Sequence, residues 1–145
     1  MVTPIEVEAE IRAIMAARVA AVHAKDVEAM VANHASDVLA YDLLQPMQHE
    51  GIDALRQRVQ QWFDGFDGGM GYEISELQVY PAFDVAFCHG LHHVMGTTRP
   101  GQKIDMWWRA TLGFRRIDGI WKIVHEHASV PFDMTTGKVS FDLKP

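Results

Sequence analysis

The stretch Arg116-Ile117-Asp118-Gly119-Ile120-Trp121-Lys122-Ile123-Val124-His125-Glu126-His127-Ala128-Ser129-Val130-Pro131 reads as the end of one strand, a tight turn and a second strand. Asp-Gly is a dipeptide that two-residue hairpin turns favour, because both central residues there need positive φ. Alternation from Ile120 onward sets Trp121, Ile123, His125, His127 and Ser129 on one face, and Lys122, Val124, Glu126 and Ala128 on the other. A bulge anywhere in this strand would exchange the two faces beyond it, so the pattern leaves open which face meets the core.

Upstream the same period of two recurs over about 72–80, 85–95 and 104–116, with Pro81-Ala82 and Arg99-Pro100-Gly101 as connections. Ahead of these strands the period is helical. Thr3-Pro4-Ile5-Glu6 supplies an N-cap, a first-turn proline and a capping-box glutamate, and Ile11, Ile14, Met15, Val19 and Val22 form one apolar stripe behind it. This helix should end near His23-Ala24-Lys25, and Asp26 caps a shorter one with Val27, Met30 and Val31. Val38-Leu39-Ala40-Tyr41 reads as a short strand and Leu43-Leu44-Gln45-Pro46 as an apolar loop. From Gly51, the residues Ile52, Leu55, Val59, Trp62, Phe63 and Phe66 define a third helix, which Gly65 and Gly68-Gly69-Met70-Gly71 should break. Residues 131–145 carry no clear period and are expected to wrap the surface or meet a partner subunit. Helices followed by a run of antiparallel strands predict an α+β domain, with the helices packed on one face of a curved sheet.

The 145 residues are 48% hydrophobic, 22% charged and 10% aromatic, the proportions of one domain spanning the chain. A chain of this length buries roughly 68–70% of its unfolded surface, enough for a core with an internal pocket and no disulfide or metal staple. A formal net charge of −6, with Arg56/Arg58 and Arg115/Arg116 as the only basic clusters, argues against nucleic acid as the main partner. Cys88 is the only cysteine, which excludes an intramolecular disulfide and a cysteine-rich zinc site, and its apolar neighbours suggest a buried, inert thiol. No apolar run approaches the roughly 18 residues of a membrane span, and no secretory leader is evident. The expectation is a cytoplasmic protein without a membrane partner.

Three features carry chemistry. Asp42 lies between Ala40-Tyr41 and Leu43-Leu44, where apolar burial would make its carboxylate a stronger base; the plain alternative is a turn or capping aspartate. His89, His92 and His93 fall on one strand, His125 and His127 on another, where imidazoles serve as proton shuttles, as donors to a substrate oxygen or as satisfied structural groups. Alternation groups His89 and His93 on one face and His92 with Cys88 and Gly90 on the other. Trp107-Trp108-Arg109 points its tryptophans to opposite faces, one available to line a pocket and the other to cover a subunit surface or the outer sheet. No metal is expected, because His-x-His comes without regular Cys/His spacing, and no glycine-rich phosphate loop or nucleophile elbow indicates a cofactor or α/β-hydrolase chemistry.

The Asp-Gly, Trp, His-x-His, Ser, Pro order of residues 118–131 resembles the closing strands of the SnoaL-like branch of the nuclear transport factor 2-like superfamily. It is especially similar to the end of the calcium/calmodulin-dependent protein kinase II association domain. The resemblance implies a cystatin-like α+β barrel: a cone-shaped, curved antiparallel sheet wrapped around three N-terminal helices, with a pocket between them and often a dimer packed through the sheet. Ketosteroid isomerases, dehydratases, cyclases and non-catalytic association domains share that fold, so it leaves activity open. On the isomerase pattern Asp42 falls at the general base, Arg18 replaces the oxyanion-binding tyrosine, and Ala110 falls near the protonated aspartate. Ketosteroid isomerase is a standard worked case of that donor pair. Loss of one such donor costs on the order of 10²–10³ in rate, so steroid isomerisation at the usual efficiency is not expected.

These readings combine into a homodimeric protein that takes a small, apolar organic molecule and moves a proton on it, as an isomerase, dehydratase or cyclase does. Asp42 is the expected base, with His93 or His127 as acid or oxyanion donor, and Tyr41, Trp62, Phe63, Trp108, Phe114 and His125 as ligand contacts. The alternative is a non-catalytic ligand-binding or oligomerisation module.

Overall fold

Thr3 opens the first helix through a complete capping box, its hydroxyl accepting from the Glu6 N–H while the Glu6 carboxylate accepts from the Thr3 N–H. The computed structural model describes residues 2–145. Helix α1 spans Pro4–Ala24 and stops where Lys25 turns left-handed. Asp26 accepts from the Ala29 N–H and starts α2, Val27–Val31. Then come β1 (His34–Tyr41), β2 (His49–Glu50), α3 (Ile52–Asp64), β3 (Phe66–Pro81), β4 (Val85–Thr98), β5 (Lys103–Ile117) and β6 (Ile120–Ser129). The β5–β6 turn has Asp118 and Gly119 at φ 53° and 79°, the positive pair that its sequence called for.

The six strands form one sheet in the order β2-β1-β6-β5-β4-β3. Neighbours from β3 to β6 are antiparallel, but β1 lies parallel to β6, so the sheet is mixed where a wholly antiparallel one was expected. Hairpin turns force the four long strands to alternate. No such turn joins β1 to β6, and the chain between them is long enough to serve as a crossover.

A second difference concerns the glycines after α3. The helix ends at Gly65, and Phe66 together with Gly68-Gly69-Met70-Gly71 belongs to β3, not to the helical stripe or to a break. Close packing explains Gly71, where a Cβ would lie 3.1 Å from Met95, and likewise Gly96 of β4, where one would come within 2.8 Å of the Phe66 ring; Gly68 instead takes a positive φ of 74°. The pairing of β3 with β4 slips between Asp67 and Gly71 and again between Ser75 and Gln78.

The core lies between helices and sheet in two clusters. One gathers Val22, Met30, Val31, Val38, Phe63 and Tyr72; the other gathers Ile11, Met15, Leu112, Phe114, Trp121 and Ile123. A single irregularity in β6 decides what else reaches this side. Phe114 pairs with Ile123 but Gly113 pairs with His125, so Val124 is an extra residue. Trp121 and Ile123 point inward before it, while Glu126 and Ala128 take the inward positions after it, opposite Leu112 and Ala110.

Residues 131–145 form no helix or long strand. Phe132 bridges Val139, and Ser140 N–H donates back to the Pro131 carbonyl. Among the described residues, no helix is long and apolar enough to cross a membrane.

Candidate functional site

Arg18 sits on the stripe of α1 that carries Met15 and Val22, so the helix that builds the core also drives a guanidinium into it. Its partner is the Glu126 that the β6 bulge turns inward. Arg18 Nη1 donates to Glu126 Oε1 at 2.5 Å and Nη2 to Oε2 at 3.4 Å, with side chains only 12% and 15% exposed. His34 of β1 lies 2.6 Å from the same Oε1 through Nε2. Arg18 Nε donates to the Tyr72 hydroxyl at 3.4 Å, and that hydroxyl donates to Nδ1 of the fully buried His92. The result is a continuous polar chain, His34–Glu126–Arg18–Tyr72–His92, tying α1 to β1, β3, β4 and β6.

Burial alone would push the Glu126 carboxyl up, but the Arg18 charge and then His34 hold it well below the usual carboxylate range. Burial opposes the Arg18 charge, and Glu126 overrides it, so the guanidinium stays protonated. Burial raises the Tyr72 hydroxyl and, with the nearby Arg18 charge, lowers His92 to about 3. Glu126 and Arg18 are therefore fixed charges that orient and hold. His92 is a neutral imidazole whose Nδ1 accepts and whose Nε2 has no partner.

Between this chain and α3 lies a cavity of about 410 Å³. Its wall is mainly apolar, with Trp62 and Trp108 set edge to face at 6.2 Å and Val59, Val94, Ile104 and Met106 around them. Arg18, His34 and Glu126 form one polar part of the wall; Tyr41, Asp42, His49, Arg58 and His127 form another. Val139 and Phe141 from the chain's end also line it.

Asp42 is at the cavity but is not surrounded by apolar side chains alone. Its Oδ1 accepts from the Leu43 N–H at 2.6 Å, and its Oδ2 lies 2.6 Å from Arg58 Nε. Tyr41 meets His127 edge-on across the parallel β1–β6 pair, at 5.2 Å between ring centres, and both contribute to the wall along with Trp62 and Trp108. Three expected contacts lie elsewhere. Phe63 and Phe114 are sealed in the two core clusters. His125 is outside the wall because the Val124 bulge turns it away, and its Nδ1–H donates to the Leu39 carbonyl at 2.7 Å.

His93 is the clearest displacement. It stands beside Trp107, which does not line the cavity, with its ring stacked on the indole at 4.1 Å, Nδ1 2.9 Å from Glu73 and Nε2 2.5 Å from Asp105. Desolvation disfavours its charge, but the hydrogen bonds to Asp105 and Glu73 prevail and raise it. Strand alternation explains the outcome: His92 takes the inward position with Cys88 and Val94, and His93 the opposite one. Cys88 is buried, and burial pushes its thiol up to about 11.

Glu126, Arg58, His34 and His49 escaped the reading of the sequence as site residues. Arg18 had a signal, being four residues from both Ile14 and Val22 on an apolar stripe. Among the described residues, no three His, Cys, Asp or Glu side chains are placed to hold a metal ion.

The buried imidazole sets an acid sensitivity. The unfolded chain binds a proton at His92 below about pH 6.5, whereas the folded chain resists until about 3, so stability falls as pH drops through that window. Glu126 adds its own loss only below about pH 4.3, the unfolded carboxylate value. Thermal unfolding followed by circular dichroism should show Tm falling between pH 6.5 and 4.5 in the wild type and falling distinctly less in His92→Asn. Equal slopes would show that His92 does not resist protonation in the folded state.

The SnoaL-like domain profile matches residues 11–133. No curated protein matches the chain. Among solved structures, an NTF2-like protein of unknown function from Pseudomonas putida KT2440 is 35% identical with a TM-score of 0.86, covering 95% of this chain and 96% of its own. A ketosteroid isomerase-like protein from Erwinia carotovora atroseptica SCRI1043 is 24% identical with a TM-score of 0.71, over 83% and 93% of the two chains. A candidate dehydratase of the NTF2-like family from Streptomyces avermitilis is 16% identical with a TM-score of 0.77, over 88% and 97%. The last two likenesses speak for the fold alone. With the profile spanning most of its length and a 35% identical relative matching nearly all of it, the chain belongs to the SnoaL-like family.

Proposed function

We propose that the chain binds a small, largely apolar organic molecule in the cavity and moves a proton on it, with Asp42 as the base. The observation that carries this reading is the presence of a carboxylate, a guanidinium and an imidazole, from Asp42, Arg58 and His127, in one otherwise apolar wall. The apolar wall excludes water and orients a hydrophobic body. Asp42 accepts the proton; Arg58, already against that carboxylate, stabilises negative charge that develops on a ligand oxygen. His127 is the remaining candidate acid. Structural relatives named as ketosteroid isomerase-like and as a candidate dehydratase fit proton chemistry of this kind.

A positioned base contributes about 10²–10⁴ in rate. Exchange of the acidic C–H protons of 2-tetralone, an apolar bicyclic ketone, followed by NMR in deuterated buffer should be accelerated by the wild type and reduced about 100-fold or more in Asp42→Asn. Equal exchange by both proteins would remove Asp42 as the base. Binding without any acceleration would instead favour a non-catalytic binding module, the reading suggested by an Asp42 already paired with Arg58.

We also infer a homodimer, packed through the sheet face that carries Trp107 and the stacked pair Tyr80–Phe87, both of whose rings are about half exposed. Light scattering behind size exclusion should return twice 16.3 kDa. A monomer mass at micromolar concentration would contradict it.

A further inference from the structure

Three nitrogens of side chains in the cavity wall have no hydrogen-bond partner: His34 Nδ1, beside the Glu126 end of the wall, and two near Asp42. Arg58 Nε is shut from solvent and, although 2.6 Å from Asp42 Oδ2, has no hydrogen bond of usable angle. His49 Nε2 on β2, the short strand that packs beside α3, is likewise shut from solvent and unpartnered. Buried polar groups are normally satisfied, and one left alone is costly. Asp42 does not supply the missing acceptor: its Oδ1 is engaged by the Leu43 N–H and its Oδ2 meets Arg58 at a poor angle. The remaining wall near α3, including Leu55, Val59 and Trp62, offers no oxygen from a side chain.

Arg58 Nε can only donate, and His49 Nε2 donates in its Nε2–H tautomer, so a group that completes this place with both must accept, offer two oxygens to two separate nitrogens, and sit on an apolar body that fills the rest of the cavity. A carboxylate meets all three conditions, and the planar guanidinium fork suits its geometry. We propose that the ligands of this site are apolar carboxylic acids, with the carboxylate received by Arg58 and His49. This rests on the reading of the cavity as a ligand site and narrows its substrate class. It also gives the Asp42–Arg58 contact a role: as Arg58 turns to the incoming carboxylate it loosens its hold on Asp42, so seating the acid frees the proposed base.

The test is calorimetric titration with naphthalene-2-carboxylate and its neutral counterpart naphthalene-2-carboxamide, at one pH and salt concentration. The wild type should bind the carboxylate about tenfold or more tightly than the amide, as expected for charge-assisted hydrogen bonds. Arg58→Gln should lower carboxylate affinity about tenfold or more and erase the preference, with cooperative thermal unfolding near the wild-type Tm reporting that the variant is folded. His49→Phe, which cannot donate, should lower the preference several-fold and serves as the independent variant should Arg58→Gln fail to fold. Equal wild-type affinity for the two probes, or a preference that survives both substitutions, overturns the assignment of the acid class while leaving the cavity as an apolar binding site. Failure of both probes to bind the wild type overturns the cavity reading together with it.

Discussion

Between α1 and β6 the Arg18 guanidinium and the Glu126 carboxylate meet in a space that solvent scarcely enters, and most of the site's geometry follows from that contact. Neither charge is tolerable there alone. Desolvating an isolated ion costs several kcal/mol even after relaxation, so each residue is retained only because the other is in place. His34 secures Glu126 from β1, and the Tyr72 hydroxyl meets Arg18 from β3, which ties the long helix to both sides of the sheet. The pair also limits what the cavity can hold, since it presents fixed charges that stay ionised.

This division separates holding from chemistry. Along the Arg18–Glu126 part of the wall, ionisation states are locked by mutual attraction. Around Asp42 the arrangement is more open: its carboxylate is shared between one backbone N–H and a guanidinium that is not fully satisfied. A site that binds and turns over a ligand needs both kinds of group, a rigid frame and a polar set able to change partners. The aromatic residues are used in the same divided way. Trp62 and Trp108 face the cavity, Phe63 and Phe114 seal the core, and Trp107 and Phe87 lie toward the opposite sheet face.

The helices and long strands were legible because each depends on local signals: the Thr3–Glu6 box, the Asp26 cap, the Asp118–Gly119 turn and clean periods of 3.6 and 2. Asp42, Tyr41, Trp62, Trp108 and His127 do reach the cavity wall. What escaped depends on non-local events. Inserting Val124 into β6 reverses the strand's faces, bringing Glu126 in and putting His125 out, and nothing in Ile123-Val124-His125 announces it. His93 was misplaced for a related reason: alternation separates it from His92 but cannot tell which of the two looks inward. Arg58 lies three residues after Leu55 and four before Trp62, on the flank of an apolar stripe, where a cation reads as surface until the facing Asp42 is known. The parallel β1–β6 pairing has no turn to betray it.

Arg18 and Glu126 hold one another in place between helix and sheet, and the rest of the site depends on that mutual hold. A double-mutant cycle of Arg18→Met, Glu126→Leu and the combined variant, read by urea unfolding, tests it most directly. Each single substitution should cost about 3–5 kcal/mol by stranding the other charge, with the double variant recovering about 2 kcal/mol or more of the summed loss. Single losses that simply add, to within about 0.5 kcal/mol, would contradict the pair as the interaction on which the site is built.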